Sequence, residues 1–310
     1  MGEITPIWAC FVSLNLFNGD NNMKKSNKPT YNDFVKEIVA EIKLAMQEDG
    51  LKWSSRFDLN GSFQLPLNSK SEHYSGLNLI KLWIKQSTLN LHSNQWATFK
   101  QLKSLGFNVL KGEKGTTIGY FNFYDKEVEG QDEKKHLAFF KRYSVFNLSQ
   151  TDAKSEVIKI EQPDIQDLIE SCGAEIQHHD QGRAFYNITR DVIKLPNQSL
   201  FDSEEGYYAT LLHELVHWTG HETRLGRFER GVNKNTDYAK EELVAEIGAT
   251  LLCRHFGIQA PLENHASYLK GWMTELSEKD FEEAVKLAGK SLTWLLRKLD
   301  QKDSTLSYAA

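Results

Sequence analysis

Residues 202–221 read Asp-Ser-Glu-Glu-Gly-Tyr-Tyr-Ala-Thr-Leu-Leu-His-Glu-Leu-Val-His-Trp-Thr-Gly-His. Asp202 with Glu205 three residues later has the form of a capping box, and Gly220 is a stop signal, so the spacing predicts a helix running through Trp218. Residues four apart share a helix face, which lets the imidazoles of His213 and His217 meet one divalent ion. Chance gives His-Glu-x-x-His about 0.03 times in a chain of this composition, so coincidence is a weak competitor. Leu211, Leu212, Leu215 and Val216 supply the apolar flanks of a buried helix. The plainer alternative is a pair of surface histidines beside an ordinary core stripe.

A tetrahedral catalytic site needs a third protein ligand and one open position. His221 lies close in sequence, but on a continued helix it would sit two turns from His213, roughly 12 Å along the axis. It stays a minor candidate because Gly220 could break the helix. The stronger route is the segment Glu241-Glu242-Leu-Val-Ala-Glu246, predicted to be helical. Here Glu242 is the expected ligand. Glu246, one turn on, is expected to accept a hydrogen bond from a ligand imidazole, and Glu241 is expected to point into solvent. Glu214, beside His213, is placed to act as general base towards water activated by the ion, which is the chemistry of peptide hydrolysis. Zinc is the expected ion, with another divalent metal such as Mn2+ as the alternative. Tyr186, Tyr238, Tyr268 and Arg224 are candidates for stabilising a developing oxyanion. The strand Val192 to Leu195 could pair at an exposed edge with an extended peptide, or could be purely structural.

Around this stretch the second half reads as a helix from Ile165 to Cys172, short strands at 184–187 and 192–195, and helices near 238–256, 264–276 and 280–299. Ahead of it, residues 149–164 are polar, with Pro163 near their end. The boundaries expected from this are an extension at 1–23, a domain at 24–150, a linker at 151–164 and a domain at 165–310. At 310 residues the chain exceeds one ordinary core, in keeping with two domains. A hydrophobic content of 40% with 25% charged residues and 6 Pro excludes collagenous and wholly disordered classes. No apolar run is long enough to cross a membrane. Cys10, Cys172 and Cys253 form no CxxC pair, which argues against a disulfide framework and fits a reducing cytoplasm. Residues 1–23 lack the positive n-region of a secretory signal and are expected to be disordered.

The charge of −5 is unevenly spread: residues 24–150 carry +6 and residues 151–310 carry −9. A basic front half invites a nucleic-acid reading. Single-strand binding needs cations for phosphates and flat rings for bases. Trp53, Tyr74, Trp83, Trp96 and Phe99 are interleaved with Lys52, Arg56, Lys81, Lys85, Lys100, Lys103, Lys111 and Lys114. Trp83, inside the apolar run 79–84, reads as core. Helices are predicted at 31–46, 78–84 and 96–105, with strands at 116–124 and 137–147 flanking a charged loop. The turn Lys111-Gly-Glu-Lys114-Gly could offer backbone N–H groups to a phosphate.

Several of these segments carry a family resemblance. Tyr74-Ser-Gly-Leu-Asn78, Trp96-Ala-Thr98-Phe-Lys-Gln101 and 106–116 (GFNVLKGEKGT) resemble the N-terminal single-stranded-DNA-binding domain of ArdC-type antirestriction proteins, shared with some plasmid transfer primases. Ala184-Phe-Tyr186, 213–221 (HELVHWTGH), Arg224-Leu225, 241–248 (EELVAEIG) and 263–269 (ENHASYL) are similar to the same family's zincin-like metallopeptidase domain. Lys52-Trp53-Ser-Ser-Arg56 stands where the family often has a Pro-Trp element, and Ser75 and Leu110 stand where arginines are common.

The resemblance implies an α+β fold of two domains, the second mainly helical with a small sheet. It implies metal binding by His213, His217 and Glu242, with Glu214 catalytic. The positions expected to contact DNA are Lys52, Trp53, Arg56, Tyr74, Asn78, Trp96, Thr98, Lys103, Lys111 and Lys114. A protein that binds single-stranded DNA and protects incoming mobile-element DNA from host restriction is then expected, with a protein substrate or a restriction enzyme as further partner and no membrane. Two other readings stay open: a DNA-targeted protease of DNA-bound proteins, and a DNA-coating protein in which the metal is structural. Glu214 speaks against the last, since a structural site usually closes all four positions with protein ligands.

Overall fold

The computed structural model describes residues 30–49, 65–126, 135–153, 164–228, 234–258 and 276–307. The extension, Lys52, Trp53, Arg56, most of the linker, the loop tip at 127–134 and the segment 259–275 lie outside the described residues.

The first half opens with α1 (Tyr31–Asp49), whose inner stripe Phe34, Val35, Ile38 and Ile42 is buried at helical spacing. Next come α2 (Gly76–Thr88), β1 (Trp96–Thr98), α3 (Phe99–Ser104) and a long antiparallel pair, β2 (Thr116–Lys126) and β3 (Lys135–Asn147). The strand order is β1-β3-β2. The sequence predicts one helix over 96–105, but only its second part is helical. Trp96, Ala97 and Thr98 pair with Asn147, Phe146 and Val145, and Thr98 then caps α3 by accepting from the Gln101 N–H at 3.3 Å. The edge of β3 claims three residues that local propensity assigns to a helix.

The second half contains α4 (Ile165–Cys172), β4 (Glu175–His179), β5 (Phe185–Asn187), β6 (Val192–Pro196), α5 (Glu204–Trp218), α6 (Lys234–His255) and α7 (Glu278–Ser307). β4 escapes the sequence reading because Ile176 is its only aliphatic residue. It is held by parallel pairing to β6. The sheet order is β4-β6-β5, so Val192 to Leu195 is the central strand and not an edge. Its burial says the same, with Val192, Ile193, Leu195 and Pro196 all covered in place of the alternation of a half-exposed strand. Phe185–Asn187 forms one edge.

A single hydrophobic cluster runs from Phe34 and Trp83 in the first half through Leu212, Leu243 and Val244 to Val285 and Leu296 in α7. The two halves therefore share a core. Two close backbone approaches set its geometry. A Cβ on Gly289 of α7 would lie 2.9 Å from the carbonyl carbon of Gly76, and the Gly76 N–H donates to Thr293 Oγ1 at 2.9 Å. Gly76 itself has φ +56, a conformation that glycine adopts without strain. A Cβ on Gly248 of α6 would lie 2.8 Å from Val216 Cγ2 of α5. That contact lets α5 and α6 lie close enough for their side chains to meet. The arrangement is α+β, with a small sheet in each half. Among the described residues no helix is long and apolar enough to cross a membrane.

Candidate metal centre and nucleic-acid face

The N-cap of α5 is Ser203, one residue after Asp202; its Oγ accepts the Gly206 N–H at 3.1 Å. The helix stops at Trp218, and His221 turns away to bond Thr223 Oγ1 at 2.9 Å. Among the described residues, the group whose donor atoms converge is His213, His217 and Glu242. His213 Nε2 lies 3.1 Å from His217 Nε2 and 3.4 Å from Glu242 Oε2, and His217 Nε2 is 3.7 Å from Glu242 Oε1.

Each ring has a carboxylate behind it. Glu246 Oε2 stands 3.5 Å from His213 Nδ1, and Glu241 Oε1 stands 3.2 Å from His217 Nδ1. Glu241 is thus not solvated: α6 packs closely enough on α5 to turn it inward, where Arg227 binds both of its oxygens at 2.7 and 3.0 Å. With a carboxylate facing each Nδ1, the Nε2 atoms are turned towards one another and towards the Glu242 carboxylate. Three electron-rich atoms converging under low exposure suit a cation, and two imidazoles with one carboxylate form a known catalytic zinc donor set.

Titration follows from the same contacts. Burial is the largest influence on His213 and opposes its charge, yet Glu242 and Glu246 carry its pKa up to about 10. Burial would raise Glu242, but the His213 and His217 rings hold it below the usual carboxylate range. Glu241 is likewise lowered: His217 and Arg227 outweigh the burial that would raise it. Glu214, 7% exposed, goes the other way. Burial raises its pKa, only partly offset by the His217 and His213 charges and by the Tyr186 backbone hydrogen bond.

That backbone bond places Glu214 beside β5. Of the four oxyanion candidates, Tyr268 is outside the described residues. Tyr186 donates to Asp191 at 2.7 Å, and Arg224 is bound to Asp191 while lying 3.7 Å over the Trp218 ring. Tyr238 is 60% exposed and bonds Glu242, one turn away on α6.

In the first half the residues expected to contact DNA fall into two groups, some turned inward and some exposed. Trp96 is 1% exposed, its indole N–H donating to Gln86, so its faces are closed to bases. Asn78 staples α2 to β2, donating to Gly119 O at 2.7 Å and accepting from Gly119 N at 2.9 Å. Thr98 is spent on the α3 cap. Tyr74 is half-buried, donates to Trp96 O at 3.3 Å, and has its pKa pushed up to about 12 by burial. These four residues organise the domain from within. Trp83 is core at 1% exposure. Lys103, Lys111 and Lys114 are exposed.

The open rings are elsewhere: Phe99, Tyr120 and Tyr143 are among the exposed large side chains. Tyr120 and Tyr143 meet edge to face at 6.1 Å, and the register puts Tyr120 opposite Lys141 and Ile118 opposite Tyr143. Partners across a ladder, and residues two apart along a strand, share a face, so Tyr120, Lys141 and Tyr143 share one surface. Period-two alternation along 116–124 and 141–145 was the available signal for this face.

Comparison with known proteins accounts for both halves. Residues 28–146 match the N-terminal domain of anti-restriction factor ArdC, and residues 163–289 match a zincin-like metallopeptidase family. The chain is 31% identical over 286 residues to a DNA primase TraC of Escherichia coli, aligning 84% of this chain but only 26% of that protein. It is 26% identical over 263 residues to the uncharacterized protein y4eC of Sinorhizobium fredii, covering 79% of this chain and 84% of that one. The metal-free crystal structure of the antirestriction ArdC protein from plasmid R388 superposes with a TM-score of 0.69 at 33% identity, over 87% of this chain and 98% of that one. The Mn(II)-bound structure of the same protein gives 0.65 at 33% identity, over 87% and 97%. Both halves match in order, and nearly the whole of a solved relative is covered, so the chain belongs to the ArdC antirestriction family, with an ArdC-type N-terminal domain followed by a zincin-like metallopeptidase domain.

Proposed function

We propose that this protein binds single-stranded DNA through its N-terminal domain, hydrolyses peptide bonds at the His213–His217–Glu242 centre, and protects incoming mobile-element DNA from host restriction. The observation that carries the peptidase reading is Glu214: a buried carboxyl adjacent to the three converging donors and not one of them. A divalent ion there, zinc by its donor set or Mn(II) as in the R388 relative, would polarise a carbonyl and acidify a nearby water.

Glu214, with a pKa raised by burial, is suited to take a proton from water and return it to the leaving amine. The β5 edge lies beside it, since Tyr186 bonds Glu214 through its backbone, and an extended peptide laid along that edge would pass the base. Tyr238, whose hydroxyl bonds the Glu242 carboxylate, is the candidate to stabilise the developing oxyanion. On the DNA side, Tyr120 and Tyr143 offer stacking surfaces, and Lys141, Lys103, Lys111 and Lys114 offer cations for phosphates. The shared core favours a second reading, in which the protein cut is one bound to the same DNA.

The test is release of peptides from casein by protein loaded with Zn2+ or Mn2+, with and without an oligonucleotide. Glu214→Gln should retain the metal and lose at least about 10²-fold in turnover. Equal turnover in that variant removes the mechanism. Release that requires DNA selects the second reading.

A further inference from the structure

Arg227 follows α5 in the chain, and its side chain is only 3% exposed. A guanidinium has five N–H donors and cannot shed its charge, so a buried one needs an acceptor in every direction. Arg227 has them. Nε donates to Glu241 Oε2 at 3.0 Å, Nη2 to Glu241 Oε1 at 2.7 Å and to Val216 O at 2.8 Å, and Nη1 to Thr219 Oγ1 at 2.7 Å and to Ser291 Oγ at 2.9 Å. These acceptors belong to α6, to the last turn of α5 and its C-cap Thr219, and to α7. The fork across both oxygens of Glu241 leaves that carboxylate one orientation. In that orientation Oε1 also faces His217 Nδ1 at 3.2 Å.

We propose that Arg227 is a positioning residue of the metal centre, acting through Glu241 to fix the ring orientation and tautomer of His217 so that Nε2 is presented to the ion. The inference rests on the reading of His213, His217 and Glu242 as metal ligands. Geometry separates this role from a general structural tie. Ser291 anchors the same guanidinium to α7 without touching Glu241, so loss of its hydroxyl loosens the tie and leaves the fork in place. Lysine at 227 would keep the charge but not the fork.

The experiment measures the dissociation constant for Zn2+ against a chromophoric chelator, together with the melting temperature of the metal-free protein, for the full chain and for Arg227→Lys, Glu241→Gln and Ser291→Ala. We expect the first two to weaken metal binding about 10- to 100-fold, the range for residues that orient a ligand histidine. Ser291→Ala should hold within about threefold of the unaltered affinity, a small loss beside that range. Unaltered affinity in Glu241→Gln, or in a folded Arg227→Lys, overturns the proposal, as does an equal loss in Ser291→Ala. Should Arg227→Lys not fold, Glu241→Gln alone decides. His213→Ala guards the underlying reading: if the unaltered chain takes up no ion, or His213→Ala takes up as much, the metal centre itself is lost. If those two behave as ligand chemistry requires while Glu241→Gln binds normally, only the role of Arg227 falls.

Discussion

The helix that carries the candidate metal ligands and the basic first half both announce themselves through residue types at characteristic spacings, and the structure treats the two differently. On α5 a four-residue interval has one geometric meaning, because a helix that begins before His213 and ends after His217 must put both rings on one face. In the first half, aromatics interleaved with lysines had two meanings, core or platform. Trp96 went inside, at 1% exposure, while Tyr120 and Tyr143, which the pattern passed over, stayed outside at 46% and 41%. Spacing fixes which side chains are neighbours along an element; which face is covered depends on what the rest of the chain packs there.

That contrast predicts opposite phenotypes for two aromatic truncations. Trp96→Ala should cost about 3–5 kcal/mol of stability, as expected for a large buried ring. It should affect DNA binding only through unfolding, as read by denaturant melts beside oligonucleotide binding at a temperature where the variant is folded. Tyr143→Ala should leave the melt almost unchanged and weaken single-stranded DNA by about 1–3 kcal/mol, the contribution of one stacked base. If the two phenotypes came out exchanged, the assignment of core and platform would be reversed.

The same lesson holds within a single residue type. His213 and His255 are both buried, at 9% and 4% exposure, and their acidities move in opposite directions. Glu242 and Glu246 carry His213 up to about 10. His255 sits at the end of α6 with neither ring nitrogen hydrogen-bonded. Burial and the neighbouring His73 bring it down to about 3, against a smaller opposing pull from Asp300. Since the folded pKa lies below the unfolded value of 6.5, the unfolded chain binds the extra proton. Stability is therefore complete above about pH 6.5 and falls as pH drops towards 3, by at most about 1.4 kcal/mol per unit. His255→Phe should flatten the difference in unfolding free energy between pH 6.5 and 4.5 relative to the unaltered chain. An unchanged slope would mean that His255 titrates normally.

Much of the geometry of the candidate site was therefore legible, and the limits are physical. His213, Glu214 and His217 follow from one helical period. Glu242 could be reached because a second helix with inward carboxylates is the simplest source of a third ligand. The inward turn of Glu241 was not readable, because it depends on Arg227, fourteen residues earlier, and on how closely Gly248 lets α6 approach Val216. The fold shows the same division. Long amphipathic segments such as 31–46 declare themselves, whereas β1 and β4 exist through pairing with β3 and β6 and have little local signature.

The smallest effect expected is also the one most particular to the basic half. Lys103, Lys111 and Lys114 are exposed and stand on α3 and the turn ahead of β2. A metal ligand acts through one orientation, but a lysine acts on a phosphate as a point charge on a flexible stem, so its contribution does not depend on base identity. Each phosphate contact on a single strand releases counterions worth about 0.7 in the slope of log K against log salt. Replacing all three lysines by alanine should thus lower the slope by about 2, with similar losses on unrelated oligonucleotide sequences. Tyr143→Ala should leave the slope as it was, since a stacked ring displaces no counterion. Should the triple variant keep the full slope, the phosphate track does not run over α3 and this turn, and Lys141 beside the open tyrosines becomes the cation to replace next.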